Sequence, residues 1–178
     1  MNPNNELPDT DTGNTAAFRR PRARDGQRMW EIARDSRVLD VNSPYAYVLW
    51  SQDFSETSIV AEINGRTVGF VTGYRRPDNP HILMVWQVAV DDAHRGKQIA
   101  KRMLCELFTH CAAAGVTDLN TTISPDNQAS ARLFAGAARA LGLHFSCEPF
   151  FSADLFPAEP ESDSHEREDL YLLTPNPR

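Results

Sequence analysis

A chain of 178 residues, 41% hydrophobic and 24% charged, is long enough to bury a core and ordinary for a soluble globular protein. Its formal net charge of −6 disfavours non-specific binding to nucleic acid, and no run approaches the ~18 apolar residues of a membrane span. The opening M-N-P-N-N-E-L-P-D-T lacks the basic and apolar regions of a secretory signal.

Cys105, Cys111 and Cys147 form no C-x-x-C pair, so reduced thiols in a cytoplasm are expected. The His residues are scattered, with no H-E-x-x-H or Cys/His cluster, and no metal is expected. Residues 1–15 are polar and without periodicity, and predict a disordered tail before one domain over 16–174 and a short tail at 175–178. Residues 17–20 read as a first strand. Asp25 is a candidate N-cap for a helix over 26–36 that carries Met29, Trp30, Ile32 and Ala33. Leu39-Asp40-Val41-Asn42 is a turn, and turn chemistry is the default role of its polar pair. Ser43-Pro44 is an N-cap followed by Pro at the first helical position. In the next helix Tyr45, Val48 and Leu49 share a face, with Trp50 at its margin.

Strand-like runs at 58–63 and 67–74 flank Asn64-Gly65, the signal for a type I′ hairpin, with Glu62 as a solvent-facing edge charge. Residues 75–81 form a loop. The run 82–90 is rich in β-branched residues and closed by Asp91-Asp92, and predicts a buried strand. Arg95-Gly96-Lys97 then leads into a helical pattern at Ile99, Ala100, Met103, Leu104, Leu107 and Phe108. This helix is expected over 95–114, with Gly115 at its end. A strand feeding a basic, Gly-containing turn and a helix makes an anion site. The opening amides lack intrahelical partners, and the helix dipole adds positive potential. A phosphate or pyrophosphate is therefore expected against residues 95–100; the bland alternative is a solvated basic turn. Neither the P-loop nor the G-x-G-x-x-G fingerprint is present.

A strand over 117–123, a turn at Ser124–Asn127 and a helix over 128–140, with Leu133, Phe134 and Ala137 toward the core, are expected next. Residues 144–147 read as a strand and 148–163 as a loop. The loop's Phe150, Phe151, Leu155 and Phe156 suit a ligand cover or a second subunit, and a homodimer is expected. A last strand is expected over 166–173.

The turn at Arg95–Ala100 resembles the acyl-CoA motif [QR]-x-x-G-x-[GA] of the GNAT superfamily of N-acetyltransferases, with Gln98 where that family has glycine. Asn127 to Phe134, followed by Leu141-Gly142-Leu143, resembles its N-x-x-[AS]-x-x-L-[YF] … L-G-F segment. The resemblance implies an α/β (α+β type) GNAT fold, a mixed, mostly antiparallel sheet of about six to seven strands with helices on both faces. It also implies acetyl-CoA as co-substrate, held by Val88, Ala89, Val90, Arg95, Gly96, Lys97, Gln98, Ile99, Ala100, Asn127, Ser130 and Phe134. Were Gln98 helical, its N–H would still face the ligand. Many relatives carry a Tyr at the position of Phe134 as proton donor to the departing thiolate. Phe134 has no hydroxyl, but its ring is expected to pack on the pantetheine arm.

Five further segments are similar to the diaminobutyrate acetyltransferases of ectoine biosynthesis: D-G-x-x-x-W at 25–30, L-D-x-N-S-x-Y at 39–45, V-W-Q-V-A-V at 85–90, T-T-I-x-P-D-N at 121–127 and H-E-x-E at 165–168. That resemblance implies a diamine acceptor bound by Asp40, Asn42, Tyr45, Trp86 and Glu166, with Glu166 and then Asp40 as candidate bases. Base and ammonium anchor are both open for each carboxylate, as are acceptor wall and core packing for Trp86. Another small amine as acceptor, or a non-catalytic acyl-CoA module, is the alternative.

Overall fold

The computed structural model describes residues 15–156 and 166–176. The tail expected over residues 1–15 lies outside them except for residue 15, as do residues 177–178. The strands are β1 (Ala17–Arg19), β2 (Ile59–Ile63), β3 (Arg66–Arg75), β4 (Ile82–Val90), β5 (Asp118–Ile123), β6 (His144–Phe151) and β7 (Glu168–Thr174). The helices are α1 (Gly26–Ser36), α2 (Pro44–Asp53), α3 (Ile99–Ala112) and α4 (Gln128–Leu141). The seven strands form one sheet in the order β1-β2-β3-β4-β5-β7-β6, and only the β4–β5 pair is parallel. Helices cover both faces, as the GNAT resemblance implies. α3 and α4 pack on one through Ile99, Met103, Leu104, Leu107, Phe134 and Ala137 against Ala61, Val71, Leu83 and Val85. α1 and α2 pack on the other through Met29, Ile32, Ala33 and Tyr47 against Val60, Phe70 and Ala89. No helix among the described residues is long and apolar enough to cross a membrane.

Local chemistry sets most boundaries. Asn64 and Gly65 both have positive φ, 51° and 74°, which suits the twist of a two-residue hairpin. The Ser43 Oγ accepts from the Ala46 N–H ahead of Pro44, and the Asn127 Oδ1 accepts from the Ser130 N–H at 3.0 Å. Gly142, at φ 68°, ends α4.

Tertiary structure overrides four expectations. The Asp25 side chain does not cap α1. It is buried, and accepts from the Arg19 guanidinium through both oxygens at 2.8 Å, from the Arg22 N–H at 2.7 Å and from the Thr67 hydroxyl at 3.0 Å. Glu62 is no solvent-facing edge charge, because β1 covers β2 and Arg19 binds Glu62 at 2.7 Å. The buried side chains of α2 are Tyr47 and Ser51, whereas Tyr45 is 72% exposed. The first turns of α2 are apolar all round, so spacing alone does not select its inner face. Finally, β6 runs to Phe151, so the first residues of the expected 148–163 loop are an edge strand; residues 157–163 lie outside the described residues. The Arg76 guanidinium lies 5.5 Å from the Phe150 ring and ties the end of β6 to the turn after β3.

Gly26 follows Asp25 for a steric reason. A Cβ there would fall 2.8 Å from the Val48 Cα, so glycine lets α1 meet α2.

Burial works to raise the Asp25 pKa, but Arg19, the Arg22 amide and Thr67 outweigh it and hold the carboxyl below its usual range. A depressed folded pKa contributes stability above the unfolded value, about 3.9, which is lost as pH falls through the folded one. Asp25→Asn is therefore expected to lower the urea midpoint clearly at pH 7, and the gap from wild type should narrow below about pH 4. A gap constant down to pH 3 would contradict a charged Asp25 in the fold.

Candidate active site

β4 is the wall between two openings. It pairs with β5 only from Ile82↔Asp118 to Val85↔Thr121. Opposite β3 the register slips at this point, since Gly73 faces Val85 and Thr72 faces Gln87, leaving Trp86 as the extra residue of a β-bulge. Beyond it, β4 keeps β3 and diverges from β5. The Asp91 N–H donates to the Val68 carbonyl at 2.8 Å, which sets the phase of the β3–β4 ladder. Antiparallel hydrogen bonding alternates by residue, so Gln87 and Ala89 turn their main-chain groups to β3, and Val88 and Val90 turn theirs to the gap.

On the α3–α4 side a cleft of about 450 Å³ opens. One wall is Val90, Arg95, Gly96, Gln98, Ile99 and Ala100, and the other is Ala129, Arg132, Leu133 and Gly136, with His94 and Lys101 also on the lining. α3 begins at Ile99 rather than at residue 95, after a 3-10 turn over Asp92–His94. Gln98 is not helical. Its φ of 61° and ψ of 12° are left-handed, the conformation that glycine adopts without strain, and Gly96 has φ 77°. A left-handed residue followed by a helical one turns successive N–H groups into a concave anion site. The Arg95 guanidinium pairs with Asp92 at 2.8 Å and reaches the Ser36 carbonyl at 3.5 Å, which braces the turn against the end of α1.

Several expected cofactor residues, Val88 among them, are not on the lining of this cleft. Lys97 is exposed in the turn but is not part of the cleft lining. Ala89 packs with Met29 and Ile32 on the opposite face. Asn127 and Ser130 are engaged in capping α4. Phe134 is 3% exposed within the core, not on the cleft wall where its ring was expected to meet the pantetheine arm. Arg132, Lys101 and His94 escaped the sequence reading. The signal for Arg132 was present, because Ala129, Arg132, Leu133 and Gly136 recur at the spacing of one helical face.

On the α1–α2 side, Trp86 is 41% exposed and is not core packing. Its ring lies 4.9 Å from that of Trp50, which also contacts Phe54 at 4.5 Å and Tyr74 at 6.3 Å. The Gln87 Nε2 donates to the Asp40 carbonyl at 2.9 Å and so fastens the 39–42 loop to β4 beside Trp86; the Asn42 Nδ2 reaches the same carbonyl at 3.4 Å. Tyr45 is exposed in the first turn of α2. Glu166 precedes β7, whose Asp169 lies opposite Ile123 at the end of β5, so Glu166 sits at the open end of the gap. His165 lies outside the described residues.

Residues 26–137 match the model of the Acetyltransferase (GNAT) family. Over 161 residues the chain is 48% identical to the L-2,4-diaminobutyric acid acetyltransferase of Nocardia farcinica, covering 90% of this chain and 81% of that one. The enzyme of the same name from Streptomyces coelicolor is 49% identical over 158 residues, covering 88% and 91%. The chain belongs to the L-2,4-diaminobutyric acid acetyltransferases of the GNAT family. The solved diaminobutyrate acetyltransferase of Paenibacillus lautus, in complex with L-2,4-diaminobutyric acid and coenzyme A, is 44% identical with a TM-score of 0.84, covering 92% of this chain and 96% of that one. Ard1 from Thermoplasma volcanium, at 16% identity and a TM-score of 0.66, shares the fold alone.

In this acetyltransferase the glycine position of the acyl-CoA motif thus keeps the backbone a glycine would adopt, at a cost. A non-glycine residue in the left-handed region costs roughly 1–2 kcal/mol, partly offset by the extra freedom glycine gives the unfolded chain. Gln98→Gly is expected to leave unfolding stability equal or up to ~1 kcal/mol higher, and β-branched Gln98→Val to lower it by more than ~1 kcal/mol. Chemical denaturation of the two variants measures both; a stable Gln98→Val would contradict the left-handed turn.

Proposed function

We infer that the protein transfers the acetyl group of acetyl-CoA to the 4-amino group of L-2,4-diaminobutyrate, a step of ectoine biosynthesis, by direct attack in a ternary complex. The observation that carries this reading is the divergence of β4 from β5, which turns the main-chain groups of Val88 and Val90 to the gap, with Val90 on the cleft lining, while the adjacent Trp86 faces the acidic and aromatic side. The amides of the turn from Gly96 to Ala100, with Arg132 and Lys101, hold the phosphates. The Val88 N–H, fixed in the strand, stabilises the oxyanion as the thioester carbonyl becomes tetrahedral. Glu166 and Asp40 hold the acceptor's ammonium groups and take the proton that the reacting nitrogen must lose, directly or through water. Trp86, backed by Trp50, walls the acceptor and offers a π-face to an ammonium. Buried Phe134 has no hydroxyl and supplies no proton to the leaving thiolate. Positioning two reactants supplies most of the acceleration. Cys105 and Cys111 take no part as nucleophiles, since burial raises both thiol pKa values.

Release of coenzyme A should be measured with diaminobutyrate, ornithine, lysine and putrescine. Diaminobutyrate is expected to exceed the others in kcat/KM by ~10-fold or more, the discrimination one or two methylenes allow against ornithine and lysine, while putrescine lacks the carboxylate. Equal rates across the panel would overturn the acceptor assignment. Glu166→Gln and Asp40→Asn are each expected to lower kcat by ~100-fold where the carboxylate is the base. A raised KM for diaminobutyrate at unchanged kcat marks it as an anchor instead.

The assembly we propose is a homodimer, acting in the cytoplasm. β6 is one of the two edge strands, and Phe150, Phe151 and Leu155 are exposed along it and just beyond. An open edge with aromatic side chains favours a second copy as its cover. Light scattering on the eluting protein is expected to give twice the chain mass, and Phe150→Glu with Phe151→Glu to return it to one. A wild-type monomer would rule out this assembly.

A further inference from the structure

Gln87 is a buried polar residue in the middle of an apolar strand, and the bulge explains which way it points. Leu83, Val85, Val88 and Val90 pack toward α3, whereas Ala89 packs toward α1 and α2. Strict alternation from Val85 would have sent Gln87 into the apolar α3 face; the extra residue, Trp86, sends it to the acceptor side. There its Nε2 donates to the Asp40 carbonyl at 2.9 Å. A carbonyl only accepts, so this bond fixes which end of the amide is nitrogen. The other end, Oε1, is buried with no hydrogen-bond partner, in a side chain only 5% exposed. A buried carbonyl oxygen without a donor is unfavourable, and either a buried water or a donor on the ligand relieves it.

We propose that Gln87 is a specificity-determining residue: its Oε1 accepts an N–H from an ammonium of the diamino-acid acceptor, while its Nε2 holds the Asp40 loop against β4. This rests on the acceptor reading above. The competing occupant of Oε1 is a buried water.

The test uses the full chain with diaminobutyrate as probe. Gln87→Met keeps the length and removes both polar ends; Gln87→Asn keeps the amide but shortens its reach. Either variant is expected to raise KM for diaminobutyrate by ~10-fold or more, the worth of a buried hydrogen bond to a charged group, with KM for acetyl-CoA within ~2-fold of wild type. If Gln87→Met does not fold, Gln87→Asn decides alone. Wild-type kinetics in a less heat-stable variant assign Oε1 to water and overturn the proposal, as does an equal rise in both KM values. Absence of diaminobutyrate turnover in the wild type overturns the acceptor reading and this proposal together. Normal wild-type turnover with unchanged variants overturns this proposal alone.

Discussion

The bulge at Trp86 marks the point where β4 parts from β5, and the site of this protein depends on that parting. At Trp86, β4 takes in one residue more than β3 offers it. The ladder to β3 resumes, the ladder to β5 does not, and a row of main-chain groups is left to the gap. Elsewhere in a sheet those groups would be liabilities; here they lie where an extended amide-bearing ligand can pair with them. The same slip reverses the side-chain alternation. Apolar residues continue to feed the α3 face, while Gln87 is delivered to the opposite one. One irregularity thus makes both halves of the site, and makes them share a wall one strand thick.

The rest of the sheet holds that wall still. The Asp25–Arg19–Glu62 cluster ties β1, β2, the start of β3 and the entry to α1 into one unit. Gly26 lets α2 settle directly on α1, and α2 carries the Trp50 that backs Trp86. Arg95 links the cofactor turn to the carbonyl end of α1. The indole pair and the turn after β4 are therefore both braced through α1, while Gln87 fastens the 39–42 loop to β4.

What the sequence disclosed follows the range of the physics involved. The Asn64-Gly65 hairpin, the Ser43-Pro44 and Asn127 helix starts and the Gly142 stop depend on neighbours a few residues away, and all were legible. So were the strand–turn–helix around residues 82–112 and the α+β architecture. The inner face of α2 was not, because its first turns are apolar on every side and only contact with α1 selects Tyr47 and Ser51. The role of Asp25 was not, because its partners come from β1 and β3, and an aspartate before a helix looks like a cap. The left-handed backbone of Gln98 contradicts the preference of its own residue type and is imposed by the junction of β4 with α3. Phe134 carried a family expectation of a ligand contact, and its ring is buried in the core. For Arg132 the helical spacing with Ala129, Leu133 and Gly136 carried the signal.

The stacked indoles have a practical consequence. The chain contains three tryptophans, and two of them, Trp50 and Trp86, touch one another at the acceptor opening, while Trp30 lies on α1 beneath the Arg34 guanidinium. Two of the three emitting side chains therefore stand at the proposed acceptor opening. Displacing water from that aromatic surface changes the colour and brightness of the emitted light, so occupancy can be followed without a label or a coupled reagent.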